Sequence, residues 1–214
     1  MIDSLPWPDE YKRLFVQGGN CYEFAHFGWG DIWQQFYGYC QGYKESADYL
    51  INNAIDSKEI AKLDNVVFPV FFLYRQFIEL SLKKAILQFS REKYPERTAT
   101  FKKSNHDLIA MWKEFVKVLP ESRGKEETTL EVVEKYIREF SLIDKSSFSF
   151  RYPITKDIEL IFGEEKRINL RHIRDRMAEL ANFFSGIEDY LDDLRTWEEG
   201  IRSMFEDDIY NDNF

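Results

Sequence analysis

Apolar residues that recur every three or four positions predict a chain made mostly of helices. One long helix is predicted over about residues 23–56, on the apolar positions Ile32, Phe36, Tyr39, Tyr43, Ala47, Leu50 and Ala54. The next helix is predicted over about residues 64–90. It is apolar nearly all round, which is typical of a central helix surrounded by others. A start at Asp64 or Asn65 places Pro69 in its first turn, where proline is tolerated.

Capping signals and the same periodicity predict further helices. Ser104 as N-cap with Asp107 three residues later resembles a capping box and predicts a helix from that point. Thr128 and Glu131 repeat this signal for the next helix. The last long helix is predicted over about residues 169–194, where the apolar spacing is that of a helix packed in a bundle.

Residues 145–166 break the helical pattern. The stretch SSFSFRYPIT alternates polar and apolar residues before Pro153, and IELIFGEE could pair with it as a small hairpin. We therefore expect an irregular or β-hairpin segment here, inserted into an otherwise all-α fold.

Charge and composition narrow the function classes. The net charge is −9, and the acidity is concentrated towards the end of the chain. A surface that binds nucleic acid along its whole length is basic, so general nucleic-acid-binding proteins are disfavoured. A local basic cleft is still compatible with the net charge of −9.

The sequence predicts a cytoplasmic protein without a membrane span. The N-terminal MIDSLPWPDE has neither the basic nor the apolar region of a signal peptide. The longest apolar run, VVFPVFFLY, has nine residues, against the roughly 20 that a membrane span needs. Cys21 and Cys40, with no CxxC pair, are typical of thiols in a reducing compartment.

A charged stripe crosses the most apolar helix. Arg75, Glu79 and Lys83 lie four residues apart and so share one helix face, among phenylalanine, leucine and isoleucine neighbours. An unpaired charge buried there would cost several kcal/mol, so a buried polar network is predicted. His106 could meet Glu79 across the bundle. Whether this network is a structural clasp or a functional site stays open.

Arg151 and Tyr152 are candidates for the same network. They stand in the FRYP segment after a helix, where functional side chains are often displayed. Arg151 supplies a cation, Tyr152 an aromatic ring and Pro153 a rigid turn. The structural alternative is that Arg151 closes a salt-bridge network onto Glu79.

Arg167 and His172 form a second candidate site, in the stretch RINLRH. Residues five apart on one helix point about 140° apart, so the pair can converge only if Arg167 precedes the helix and Asn169 lies near its cap. No metal-ligand spacing and no phosphate-binding or dinucleotide motif occurs in the sequence, so no metal and no cofactor are predicted.

Four stretches, taken in order, resemble the HEPN-like helical bundles of bacteria and archaea. They are FPVFFLYRQFIELSLKKAI, NHDLIAMWKEF, FSFRYPIT and INLRHIRDRMAEL. The resemblance implies a single helical domain with a HEPN-like core over about residues 23–195. A short helix at 7–17 would precede this core, and an acidic tail at 196–214 would follow it.

The resemblance also implies two functions. Many HEPN domains are metal-independent ribonucleases of toxin–antitoxin, phage-defence or CRISPR systems. They use an Arg-x4-6-His motif and often dimerise. Arg167 and His172 match that spacing, and Ile168 stands where a polar residue often follows the arginine. The implied partners are then a second copy, RNA or a cognate antitoxin. Other HEPN relatives are non-catalytic modules that bind a partner protein or a nucleotide.

Overall fold

The computed structural model describes residues 7–8, 10–90, 106–120, 126–144 and 147–211, and the side chains of all of these except 126–127 and 205–211. The described residues contain five α-helices and no strand, so the all-α prediction is confirmed for this part of the chain. The helices are α1 (Ile32–Ser57), α2 (Ile60–Phe89), α3 (Leu108–Val118), α4 (Glu126–Ile143) and α5 (Leu170–Asn211).

Helix α2 lies at the centre of the bundle, as its apolar sequence predicts. It packs against α1, α3 and α5. Its neighbour α1 runs antiparallel to it. The Tyr74 hydroxyl donates to Asp48 Oδ1 at 2.6 Å, and further along α2 the Ser81 hydroxyl donates to Cys40 Sγ at 3.8 Å. The apolar side chains that α2 buries include Val70, Phe71, Phe77, Ile78, Leu82, Ala85 and Ile86.

Helix α1 begins nine residues later than the predicted residue 23. Gly28 and Gly30 have φ angles of 73° and 70°, a left-handed conformation that ends any helical path before them. Asp31 then caps α1. Its Oδ1 accepts from the backbone N–H groups of Trp33 and Gln34, both at 2.9 Å. Residues 21–23 form only a short 3-10 turn.

Helix α2 begins at Ile60, so Pro69 lies in the helix interior rather than in the first turn. Proline has no backbone N–H to donate four residues back, and its ring crowds the carbonyl there. The prediction from Asp64 or Asn65 was wrong because the helix continues on both sides of Pro69, and the residues that directly follow it, Val70 and Phe71, are buried in the core.

The starts of α3 and α4 also differ from the capping predictions. Asp107 is itself the N-cap of α3, and its Oδ1 accepts from Ile109 and Ala110 at 2.9 and 3.1 Å. Ser104, the predicted cap, lies outside the described residues. Helix α4 begins at Glu126, two residues before the predicted Thr128.

The segment after α4 is irregular, and its predicted hairpin is reduced to one antiparallel bridge between Ile154 and Leu160. Aromatic packing, rather than strand pairing, holds the segment to α2. The Phe150 ring stacks on Phe71 with centroids 4.7 Å apart and lies 5.1 Å from Phe162. The start of the predicted insertion therefore packs against the core through Phe150, while Ile158 and Leu160 are exposed.

Helix α5 lies alongside α2 and continues past its end. Lys84 Nζ is 2.6 Å from Glu188 Oε2, and Gln88 Nε2 donates to Asp192 Oδ1 at 3.5 Å. Leu194 is the last described side chain of α5 that packs on the core. The remaining residues, 195–211, extend about 25 Å at 1.5 Å per residue. This part of α5, called the overhang below, makes most of the predicted acidic tail helical.

The N-terminal helix predicted at 7–17 is not formed. Its described residues contain only a turn at Glu10 and Tyr11, and every described side chain from 10 to 31 is exposed. A short helix without packing against a core is marginal in water, which accounts for this outcome. No described helix is both long enough and apolar enough to cross a membrane.

Replacing Pro69 with alanine should stabilise the protein. An interior helical proline costs about 3 kcal/mol relative to alanine, and a more flexible unfolded chain offsets about 0.4–1 kcal/mol of the gain. Pro69 is exposed, so the change opens no cavity. We expect Pro69→Ala to raise the free energy of unfolding by about 1–3 kcal/mol in urea denaturation. A loss of stability would show that the packing of α2 requires a bend at Pro69.

Candidate functional site

The guanidinium of Arg75 connects three parts of the chain inside the bundle. Arg75 has no exposed surface. Its Nη1 donates to Glu79 Oε2 at 3.0 Å, its Nη2 donates to the His106 carbonyl, and its Nε points at the Asp144 carbonyl at 3.5 Å. The start of α3 and the end of α4 are thereby fixed to the central helix.

Glu79 completes this cluster from the same helix. Its side chain is 3% exposed, and its Oε1 accepts from Lys83 Nζ at 2.7 Å and lies 2.9 Å from His106 Nδ1. The four-residue spacing predicted that Arg75, Glu79 and Lys83 share one face, and the structure brings His106 to the same carboxylate. His106 lies just before the Asp107 cap, outside the first turn, and half of its side chain is exposed.

The ionisation of the cluster follows from its contacts. Burial by itself would raise the pKa of Glu79, but hydrogen bonds from Lys83 and His106 and the charge of Arg75 outweigh burial and lower it. Burial lowers the pKa of Arg75, opposed by the negative charges of Glu79 and Asp144. Arginine nevertheless remains protonated in proteins, so the cluster is a buried ion pair.

Asp144, Ser147 and Gln76 belong to the same region, and the sequence analysis missed them. Asp144 Oδ1 accepts from the backbone N–H groups of Phe148 and Ser149 at 2.9 and 3.1 Å, which turns the chain after α4. Gln76 Nε2 donates to the Ser147 hydroxyl at 2.9 Å, and Ser147 has the left-handed φ of 59°. The available signal was an aspartate directly after an apolar helix, a common position for side-chain capping of a turn.

Arg151 and Tyr152 do not join the cluster. Arg151 Nε donates to the Ser147 carbonyl, and its guanidinium lies 5.6 Å from the centroid of the Tyr152 ring. No ion pair with Glu79 forms, so the predicted closure of the network by Arg151 was wrong. The reason is the turn at 147–150, which places Arg151 on the surface while Ser147 occupies the buried position.

Arg167 and His172 lie at the N-terminus of α5. Asn169 caps this helix, with its Oδ1 accepting from the His172 backbone N–H at 3.0 Å. Arg167 therefore precedes the helix, and His172 stands in its first turn. The Arg167 side chain is 92% exposed and lies 3.3 Å from Glu165, and no hydrogen bond or ion pair between described side chains links it to His172. Arg167 thus precedes the helix and Asn169 caps it, as convergence of the pair requires, but the Arg167 and His172 side chains do not contact each other.

Neither a metal-binding cluster nor a match to a known protein adds to the assignment of this site. No group of three His, Cys, Asp or Glu side chains that could hold a metal occurs in the described part of the chain. Comparison with protein-family models, with curated proteins and with solved structures finds no match to this sequence.

Removing the Glu79 carboxylate should destabilise the protein strongly. Glu79→Ala leaves the buried Arg75 without its counter-charge, and breaking one side of a buried pair costs about 3–5 kcal/mol. The matched control is Glu139→Ala, which breaks the exposed pair with Lys135 at the same four-residue spacing. The control should cost less than about 1 kcal/mol in urea denaturation. Equal losses from the two variants would contradict the buried-pair interpretation.

The same carboxylate predicts a pH dependence. Because folding lowers the pKa of Glu79 below its ordinary 4.5, its stabilising contribution is complete above that pH. The contribution is lost as the pH falls through the lower folded pKa. The stability difference between wild type and Glu79→Gln should therefore be constant near neutral pH and narrow below about pH 4.5. Urea denaturation at a series of pH values measures this difference, and a constant difference throughout would refute the prediction.

Proposed function

We propose that this protein is a HEPN-like, metal-independent ribonuclease whose reactive residues lie at the N-terminus of α5. One observation carries the proposal. Arg167, Arg171 and His172 are all exposed around the Asn169 cap, in a protein whose net charge is −9. In an otherwise acidic protein, this local concentration of basic side chains supports the binding of a polyanion at this end of α5.

The end of the helix adds to the attraction. The first backbone N–H groups of a helix point outward and carry a partial positive charge, which favours phosphate. Here the N–H of His172 is used by the Asn169 side chain and that of Ile173 by the Asn169 carbonyl. The N–H groups of Leu170 and Arg171 precede these in the first turn and are placed to face an anion.

Arg167 is accessible to such an anion despite its neighbour Glu165. Both side chains are more than 80% exposed, and an exposed pair contributes at most about 1 kcal/mol. A phosphodiester that engages the planar guanidinium with two hydrogen bonds competes well with that contact. Arg171 makes no ion pair with a described side chain and supplies a second cation.

The chemistry assigns one role to each residue. His172 acts as the base that removes the proton from a ribose 2′-OH, a role that histidine side chains commonly perform in enzymes. The freed 2′ oxygen attacks the adjacent phosphorus to form a 2′,3′-cyclic phosphate, and the bond to the 5′ oxygen of the next nucleotide breaks as that oxygen takes a proton from water. Arg167 stabilises the negative charge that builds on the phosphate oxygens. In this proposal, an effector of a toxin–antitoxin or defence system would use two such sites in a dimer.

Substitution of His172 tests the proposal on the full-length protein. Cleavage of single-stranded and structured RNAs should persist in EDTA. His172→Ala should reduce the rate by about 10²–10⁴-fold, the usual contribution of a general acid–base residue. The matched control is His26→Ala, which removes another exposed histidine. Arg167→Ala should likewise lower the rate, whereas Arg202→Ala, at the opposite end of α5, should not.

The opposite results are equally informative. Purified protein that is inert on varied RNAs, together with overexpression that leaves growth unchanged, would refute the ribonuclease proposal. The non-catalytic binding module, which the resemblance also implies, would then take its place. Activity lost equally in His26→Ala and His172→Ala would contradict a specific role of His172 in the reaction.

A further inference from the structure

One face of α5 continues from His172 towards the middle of the helix. Each residue turns a helix by about 100°, so three later residues lie within about 40° of His172 around the axis: Arg176, Glu179 and Phe183. The Tyr136 hydroxyl of α4 donates to Glu179 Oε2 at 3.2 Å. The face of α5 that carries His172 therefore borders α4.

Arg176 has an unsatisfied donor on this face, one turn after His172. Its Nη2 lies 2.6 Å from Glu179 Oε1. Its Nε is buried and has no hydrogen-bond partner within the part of the chain that the structure describes. A buried N–H group without an acceptor costs free energy, so an acceptor from outside the chain is favoured here. A phosphate oxygen is an acceptor that the guanidinium group binds strongly.

An apolar cleft of about 230 Å³ follows Arg176 between α4 and α5. Its apolar walls consist of Val132, Val133, Leu180 and Phe183. Sites for drug-sized ligands measure about 300–1,000 Å³, so this cleft has the size for one small ring system. Phe183 supplies an aromatic ring on which a planar heterocycle can stack.

Glu179 gives the cleft a polar rim. Among the described residues that line the cleft, Glu179 alone is charged. Each of its oxygens has one partner, Arg176 or Tyr136, but half of its side chain is exposed and each carboxylate oxygen has two lone pairs. The carboxylate can therefore accept two further donors that lie side by side. Glu79 differs in this respect, because its side chain is only 3% exposed.

Guanine is the base whose hydrogen-bonding edge matches a carboxylate. Its Watson–Crick edge places the N1–H and N2–H donors next to each other. Adenine and cytosine each place a donor beside a ring nitrogen that accepts, and uracil places its single donor between two carbonyl acceptors. Proteins recognise unpaired RNA bases through such edges and by stacking on aromatic rings.

We propose that the cleft binds an unpaired guanine of single-stranded RNA, with Glu179 on its Watson–Crick edge and Arg176 on the adjacent phosphate. His172 and Glu179 are seven residues apart, which is about 10 Å along the helix axis. A single nucleotide reaches that far from its base edge to its phosphate. The guanine then lies next to the bond that His172 cleaves. This base preference of cleavage rests on the proposed ribonuclease function, whereas the binding of guanine can be measured without it.

Binding is measured on 2′-deoxy octamers of uridine that carry one guanine, adenine or cytosine and lack the attacking hydroxyl. Fluorescence anisotropy with the full-length protein should show the guanine octamer binding about tenfold or more tightly than the others, as expected for one bidentate base contact. Glu179→Gln presents one acceptor and one donor, so it should reduce this preference to about twofold or less. The matched control, Asp192→Asn, alters an exposed carboxylate that pairs with Arg195 on the same helix, and should keep the preference.

Two further variants separate the phosphate contact from the base contact. Arg176→Ala should weaken the binding of every octamer alike, because a phosphate contact carries no base information. It should also reduce the slope of log affinity against log salt concentration by about 0.7, the value for one phosphate on a single strand. Arg195→Ala is the control and should change neither quantity. Val132→Trp fills the cleft from a wall that is 42% exposed, and should remove the guanine preference in a folded protein.

The failure of the guanine site is distinguishable from the failure of the ribonuclease. Equal or undetectable binding of all octamers by the wild type would overturn the guanine site. A preference that survives both Glu179→Gln and Val132→Trp would overturn it too, because guanine would then bind elsewhere. RNA cleavage that shows no preference for guanosine and is unchanged in Glu179→Gln would retain the ribonuclease and overturn the guanine site. Selective guanine binding by a protein that cuts no RNA would retain the site and refute the ribonuclease.

Discussion

The buried guanidinium of Arg75 is the interaction on which the organisation of this bundle depends. A charge without exposed surface must be compensated, and Arg75 finds its compensation in three places: Glu79 on its own helix, the carbonyl before α3 and the carbonyl after α4. Two of these acceptors are backbone atoms from distant parts of the sequence. The requirement to satisfy one planar group with several donors therefore fixes where α3 begins and where α4 ends.

The hydrogen bonds and ion pairs of this buried cluster also bear on where a functional site could lie. The oxygens of Glu79 are occupied by Arg75, Lys83 and His106, so the cluster joins the central helix to the residues just before α3. The proposed chemistry lies along α5. Arg167 lies just before its first turn and His172 lies within that turn, both exposed, and the overhang follows at the far end.

Both polar and apolar contacts hold the irregular segment after α4 in place. Asp144 turns the backbone, Ser147 binds Gln76, and Phe150 stacks on Phe71 of the central helix. A segment with a single β-bridge is held in place because both kinds of contact anchor it to α2. This also explains why Arg151 faces solvent: the buried position in the turn belongs to Ser147.

The sequence by itself determined the helical class, the central position of α2 and the shared face of Arg75, Glu79 and Lys83. Each of these follows from local periodicity, which the chain carries in its spacing of apolar and charged residues. Only the tertiary structure decided the two carbonyl partners of Arg75, the surface position of Arg151 and the interior place of Pro69. Those outcomes depend on contacts between residues far apart in sequence, where the cost of an unsatisfied buried group outweighs local preference. The start of α1 lies between these cases. The left-handed glycines at 28 and 30 and the Asp31 cap were visible in the sequence, but only the folded backbone showed that they outweigh the apolar periodicity around them.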